Sequence, residues 1–522
     1  MSNGSFATDR QGKYWYMGPT SSWAFCQRVL AVIHGKSSDQ VPVVKPRALE
    51  SVSLQWNPIG LHEQPEVSNL PSAEYAALLH STVKYHLGSL YDIIDHECFS
   101  RQIDRFYRDP VTEARRSRFW YAQFLFVLAF GEAFTSTGAA GSGIGLKYAS
   151  RALSLLPCIV PLDENPLPAV EALCLAALYL QAIDSRLMAF QMIGQALRVC
   201  VIEGWHRYMP SAEVASSHSR RCTSIFWTAY MIDREFGTLI GAPSSIRDED
   251  ITVELPSGME PSLEKSEVLT LQVKLARLTA MILTGVYGAD RSSRGTLLAD
   301  TQSALHSIAR IDEDLLAYLD TRFKGTDIRT SKVATNLILS YHHCVVLVTR
   351  PLVMCMLHKY SANRGTRLHL PEAPVMTLLQ SSTWSALNIL RTLKALAESN
   401  MLDHFLSFQL EAAFSSAVML CIIDKLLPGF ISDDSWLHGV YEILGIMISK
   451  GSPAAPLRRQ EFERLHRVTE AYIRGKISAT EPPLDAFASW GPLEHYSDFT
   501  LSSTDIMQMA NGLQAEDFWI QD

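Results

Sequence analysis

The sequence predicts an all-α fold, a large multi-helix domain of packed antiparallel helices. Three observations carry this. Apolar residues recur at helical spacing along nearly the whole chain, strand-like alternation is rare and short, and 47% hydrophobic against 19% charged residues suits a globular protein with a large core. At 522 residues the chain is long enough for several domains. No fixed-period repeat is evident, so it reads as one assembly of about 15–20 helices.

Three parts are expected: residues 1–64 as an N-terminal segment with a short helix, 65–475 as the helical domain, and 476–522 as an acidic-aromatic tail of poor order. The polar start, Met1–Lys13, lacks the apolar run of a secretory leader and is expected to fray. The apolar stretches Phe119–Phe130 and Ala412–Ile423 fall short of the roughly 20 residues that span a bilayer and read as core helices. Val170, Leu173, Ala177 and Leu180 form one helical stripe, and Phe190, Ile193, Leu197 and Val201 a second. Leu271, Leu275, Leu278, Ile282 and Val286 form a longer third. Breaks are expected at Pro157–Pro168, Gly204–Ser217, Gly241–Pro261, Asp320–Thr330 and Pro371–Pro374.

The most informative stretch is Arg220–Pro256. Ile225, Ala229, Ile232 and Phe236 make an apolar stripe, while Phe226, Tyr230 and Arg234 are spaced by four, so a guanidinium can lie over aromatic faces. Gly237 and Gly241 weaken this helix and Pro243 ends it. Asp233 and Arg234 with Asp248 and Asp250 are expected to form a salt-bridged turn that fixes the loop Gly241–Leu255 against the helix.

Catalytic and metal chemistry find little support. The nine cysteines include no Cys-x-x-Cys pair and sit among apolar neighbours, so buried reduced thiols are expected, with no cofactor or metal held by this chain. In His342-His343-Cys344, adjacent side chains on a helix point about 100° apart and cannot converge on one atom. They are expected to pack or cap between helices. Gly138–Gly145 follows a helical pattern and reads as a loop, and Ser81-Thr82-Val83-Lys84 lacks the partner motifs of a Ser-x-x-Lys enzyme. No nucleophile, base and oxyanion donor assemble, so the chain is read as a non-enzyme.

Charge is uneven. Of 54 acidic residues, eight fall in Glu481–Asp522, which has no Lys or Arg; the net charge is -8, so the remainder is neutral. The tail interleaves those acids with Phe487, Trp490, Phe499, Phe518 and Trp519, the composition of an amphipathic activation segment; the alternative is a tail docked on its own core. A neutral body has no field to displace counterions from DNA, although Arg458, Arg459 and Arg464 could form a small basic patch.

The order of residues in the stretch, with Arg221, Trp227, Asp233, Arg234, Gly241, Pro243, Ile246 and Asp250 before Leu-Pro, resembles the middle homology region of fungal zinc-cluster transcription factors. Collinear elements extend the likeness over roughly residues 14 to 470: Tyr16–Ser22, Leu78–Phe99 with His96, Gln195–Arg207 with Trp205 in place of a leucine, Leu337–Pro351 closing on Arg-Pro, and Leu444–Leu465. The resemblance implies a nuclear transcriptional regulator of metabolic or secondary-metabolism genes. Its implied partners are other transcription factors or a second copy as a dimer, the transcription machinery through the tail, and a small-molecule effector; no membrane partner is implied. Trp205, His206, Trp227 and Tyr230 are candidates to line an effector pocket. The family's N-terminal module of six cysteines and two zinc ions has no counterpart here, since Cys26 is the one cysteine before residue 98. Zinc and DNA reading are therefore expected only through a module outside this sequence. The competing expectation is a headless interaction protein that dimerises with or sequesters a full-length relative.

Overall fold

The computed structural model describes residues 5–8, 14–34, 52, 54–136, 144–161, 165–209, 216–259, 264–287, 294–324, 328, 331–362, 373–431, 435–474 and 502–514. Among them are eighteen α-helices and one pair of strands. The strands, β1 (Ser5–Thr8) and β2 (Tyr14–Met17), run antiparallel with Ser5 opposite Met17 and Thr8 opposite Tyr14. The polar start was expected to fray; instead residues 5–8 pair with β2 along one edge. Helix α1 (Ser22–His34) follows at once.

The first of two hydrophobic cores is built by α2 (Ala73–His86), α3 (His96–Phe106), α4 (Pro110–Arg116), α5 (Arg118–Thr135), α6 (Leu146–Leu155), α7 (Leu167–Ala182), α8 (Arg186–Ile202) and α9 (Ser216–Ile240). Short polar caps start several of these helices. The Ser72 side chain accepts from Tyr75 N, Asp95 from Glu97 N and Cys98 N, and Asp109 from Thr112 N with Pro110 just behind it. Helix α7 is buried all round, beyond the single stripe expected of it. On α8 the buried face is Ala189, Ile193, Ala196, Leu197 and Cys200, whereas Val201 is exposed and Phe190 only partly covered. Small alanines let α7 and α8 pack closely, which rotates α8 away from the stripe that its larger residues suggest.

After the short α10 (Pro256–Met259), helix α11 (Glu264–Met281) joins the two cores. Its Leu269, Val273 and Ala276 belong to the first, and Val268, Leu271, Leu275 and Leu278 to the second. It ends in a π-turn, Ile282–Val286, whose Ile282 and Val286 are buried with the predicted stripe. The second core adds α12 (Arg294–Phe323), α13 (Lys332–Ala362), α14 (Ala373–Glu398), α15 (Ser407–Leu426), α16 (Trp436–Ser449), α17 (Ala455–Arg474) and α18 (Ser503–Gly512). Helix α1 contributes Phe25, Cys26, Val29 and Leu30 to this same core, so residues on either side of position 64 share one interior.

Helix α13 does not close at Arg350-Pro351, as the motif suggested, but runs on to Ala362. A proline inside a helix leaves the carbonyl four residues back without its N–H. Here that carbonyl, Leu347 O, accepts from the Tyr287 hydroxyl at 2.7 Å, which explains why the helix survives.

Three helical stretches, Glu264–Val286, Lys332–Ala362 and Ser407–Leu426, are long and apolar enough to cross a membrane, beyond the short runs noted in the sequence. Their apolar windows are 56%, 89% and 78% buried inside the protein, so most of that surface packs against its own core.

All nine cysteines are free; seven are buried, while Cys98 and Cys158 are exposed. Burial raises the Cys26, Cys174, Cys200, Cys222, Cys344 and Cys421 thiols above their ordinary range. A thiol-reactive chromogenic disulfide should therefore label two cysteines quickly in the native protein and the other seven only on unfolding. Fast release of more than two equivalents would contradict this packing.

Candidate functional site: the joint between the two cores

The motif residues of α9 form one fastening. Ile225, Ala229, Ile232 and Phe236 are fully buried, and the helix stops at Ile240 because Gly241 turns left-handed, at φ 70°, ahead of Pro243. Arg234, 1% exposed, donates through Nη1 to Asp233 Oδ2 (2.7 Å) and through Nη2 to Ile246 O (2.6 Å) and Asp248 Oδ1 (3.1 Å). Its guanidinium lies 4.0 Å from the Tyr230 ring centre, as the spacing by four suggested. Asp233 accepts from Ser245 N at 3.1 Å and from the Ser245 hydroxyl, and Tyr230 OH donates to Asp248 Oδ1 at 2.7 Å. Asp250 stands outside this set and faces Arg207 at 3.8 Å on the surface. The expected salt-bridged turn thus uses Asp248 but not Asp250, because the 3-10 turn Asp248–Asp250 points the second carboxylate outward.

The proposed pocket residues fasten the rest of this loop. Trp227 Nε1 donates to Glu254 O at 3.0 Å, and His206 O accepts from Thr252 N and Val253 N. Trp205, His206, Trp227 and Tyr230 are all buried, with Trp227 5.2 Å from Tyr230 and Phe226 5.1 Å from Trp227. Burial, with Arg207 next to it, holds the His206 imidazole below its ordinary pKa. An effector entering among these rings would have to displace the loop. Arg221, from the preceding turns, reaches Glu171 Oε1 on α7 at 2.6 Å and also donates to Asp92 O and Ile93 O.

Two further ties join the first core to the second. The segment between β2 and α1 lies along the end of α9: Gly18 N donates to Ile240 O at 2.8 Å and Thr20 Oγ1 to Thr238 O at 3.0 Å. From the other side, Arg350 on α13 donates to Thr20 O (2.8 Å), Ser22 Oγ (3.0 Å) and Ser415 Oγ on α15 (2.5 Å). Gly18 and Gly241 meet backbone to backbone; a Cβ on Gly18 would sit 1.9 Å from Gly241 O. The second tie is ionic and buried. Asp184, left-handed at the α7–α8 corner, and Glu411 on α15 share Arg186 and Arg458 at 2.5–3.2 Å, and Glu461 adds a bond to Arg458 at 2.8 Å. Arg458 is therefore an interior residue, and Arg459 pairs with Glu463. The basic patch expected from Arg458, Arg459 and Arg464 loses its first member to this network.

Pattern reading found the α9 set because its members are close in sequence. It missed Asp184, Arg186 and Glu411, which are up to 227 positions apart and carry no local signal; the one hint was acids and arginines placed on apolar helices. His342, His343 and Cys344 diverge as expected: His342 lies by Ser385 and Trp384, His343 by Phe408, and Cys344 by Thr279. Among the described residues no group of three His, Cys, Asp or Glu side chains could hold a metal ion. Phe487, Trp490, Phe499, Phe518 and Trp519 lie outside the described residues. The described part of the tail, α18, buries Ile506, Met509 and Ala510 against α12 and α14, so this portion docks on its own core.

The motif residues thus build joints between helices. Residues 79–315 match the family model of the fungal specific transcription factor domain. It is 22% identical over 64% of its length to an uncharacterised transcriptional regulatory protein of Schizosaccharomyces pombe. It is 23% identical over 69% of its length to an ABC-transporter-regulating transcription factor of Aspergillus oryzae, and 22% identical over 94% to the protein of the same description from Aspergillus fumigatus. The chain spans 41%, 42% and 59% of those three relatives.

Proposed function

We propose that this chain is the regulatory body of a fungal transcriptional regulator, acting in the nucleus on genes of metabolism or efflux. The observation that supports it best is the joint itself. Ile240 and Gly241, at the end of the motif helix in the matched region, meet Gly18 from outside it, and Arg350, also outside it, holds Thr20 of the same segment, so three of the collinear motifs converge on one structure. Efflux genes enter because two of the relatives are named as regulators of ABC transporters. DNA would be reached through a partner or a separate module, since the chain's net charge of -8 gives no basic footprint. The transcription machinery would be met through the acidic-aromatic tail.

The test joins residues 1–522 to a heterologous DNA-binding domain upstream of a reporter in a fungal host. Reporter output should change by several-fold either way, and removing residues 476–522 should reduce activation. An expressed, nuclear fusion that leaves the reporter at the level of the DNA-binding domain alone would sink the regulator reading. The separate chain should bind a promoter duplex no better than a scrambled one in a mobility-shift titration, and should carry no stoichiometric zinc.

A further inference from the structure

Helix α18 presents a single apolar stripe to the second core. Ile506, Met509, Ala510 and Leu513 recur at i, i+3, i+4 and i+7 and are at most 3% exposed. On the other side Asp505, Gln508 and Asn511 face solvent, and Met507 is 41% exposed.

The stripe lies in a groove made by α12 and α14, both of which α18 touches. Gln302 and His306, one turn apart on α12, meet the end of α18. Gln302 Nε2 donates to Leu513 O at 3.4 Å, and His306 Nε2 lies 3.2 Å from Asn511 Oδ1. From the α14 side, Ser381 Oγ donates to Met509 Sδ at 3.1 Å. None of these contacts is an ion pair, and Asp505, the one charged residue of α18, makes none among the described residues.

Two properties make α18 a ligand of this groove more than a strut of the core. At 10 residues it is too short a helix to hold its shape alone in water, so the groove gives it its form. It is also tethered at a distance: residues 475–501 separate Arg474, the last of α17, from the cap Ser502. A stretch of that length spans up to about 90 Å when extended. Docking is therefore a binding event with its own equilibrium. Burial of four apolar side chains drives it, and the entropy of ordering the helix opposes it, so the balance is shallow.

We propose that the groove between α12 and α14 is a recognition site for an amphipathic helix of another protein, with α18 as its resident stand-in. The helix it fits repeats the stripe of α18: a branched apolar residue, methionine and alanine three and four positions on, and leucine at the seventh. An amide directly after the alanine meets His306, as Asn511 does. Ala510 is fully buried, so the alanine sets the closest approach to the groove and a large residue is excluded there. The partner helix and α18 exclude one another, because both need the same faces of α12 and α14. The site stands whether or not the chain regulates transcription.

The probe is a fluorescein-labelled peptide of residues 500–516, titrated into the full chain and read by anisotropy. In the parent, the tethered α18 competes at an effective concentration on the order of millimolar. The peptide should therefore bind at least about tenfold more tightly to the full-length variant Ile506→Asp/Met509→Asp, whose own stripe is broken, and circular dichroism should show that variant folded. Within the peptide, Ala510→Phe should weaken binding at least about tenfold. Met507→Ala, at the exposed position, should leave it within about twofold. A redesigned peptide that keeps Ile506, Met509, Ala510, Asn511 and Leu513 and replaces every other position by helix-forming polar residues should compete with the labelled one. Unfolding of the double variant would show that α18 is a strut of the core and overturn the proposal. Equal binding by parent and variant, no binding to either, an Ala510→Phe peptide as good as the original, or a redesigned peptide that does not compete would each overturn it as well.

Discussion

Gly241→Ala is expected to destabilise the protein by about 3 kcal/mol and to release the segment 18–22 from the end of α9. Two costs combine. The left-handed backbone at φ 70° disfavours any side chain by about 1–2 kcal/mol. The new Cβ would also sit 2.3 Å from the Gly18 backbone, an overlap of the kind that costs about 1–3 kcal/mol when neighbours cannot yield. They cannot yield easily, because Gly18 is tied by its N–H to Ile240 O and Thr20 is held from the far side by Arg350. Gly204→Ala separates the two costs: its φ is 72°, yet nothing lies within 4 Å of its Cβ. Gly18→Ala gives the converse, a steric clash at 1.9 Å without the left-handed cost. Thermal melts followed by tryptophan fluorescence should place Gly204→Ala nearest the parent, with Gly18→Ala and Gly241→Ala well below it. A Gly241→Ala variant as stable as Gly204→Ala would mean that the two glycines do not touch.

What the sequence revealed of this joint depended on distance along the chain. Phe226, Tyr230 and Arg234 share a face by helical periodicity, and Gly241 with Pro243 marks a helix end by backbone chemistry alone, so that corner was legible. The helical class was legible for the same reason. Arg350 was visible as part of an Arg-Pro motif, but not as the residue that holds Thr20 and Ser415, because such pairing is set only when the cores dock. The stripe on α8 misled because the largest apolar residues were assumed to face inward, whereas alanines made the closest packing. Asp184, Arg186 and Glu411 gave no local signal at all. A polar residue on an apolar helix looks the same in sequence whether it meets a guanidinium, water or a ligand.

The other large effect should come from Arg234→Met, which is expected to cost about 3–5 kcal/mol, the range for breaking a buried ion pair from one side. Arg234 lies against Asp233, whose side chain is fully buried, so the variant strands a carboxylate with only the Ser245 N–H and hydroxyl as donors. It also frees Ile246 O and removes one of two donors to Asp248, which weakens the hold on the loop 241–255. Asp233→Asn alone should cost less, because an amide keeps an acceptor for Ser245 and carries no charge to bury. The double variant Asp233→Asn/Arg234→Met should then recover a large part of the loss, giving a coupling energy of about 1 kcal/mol or more in a double-mutant cycle. Limited proteolysis reads the structural half of the argument: Arg234→Met should be cut within 241–255 faster than the parent, with slower cutting restored in the double variant. If the single and double variants lose equal stability, the two side chains act independently, and the loop is held instead by Trp227 on Glu254 and by His206 on Thr252 and Val253.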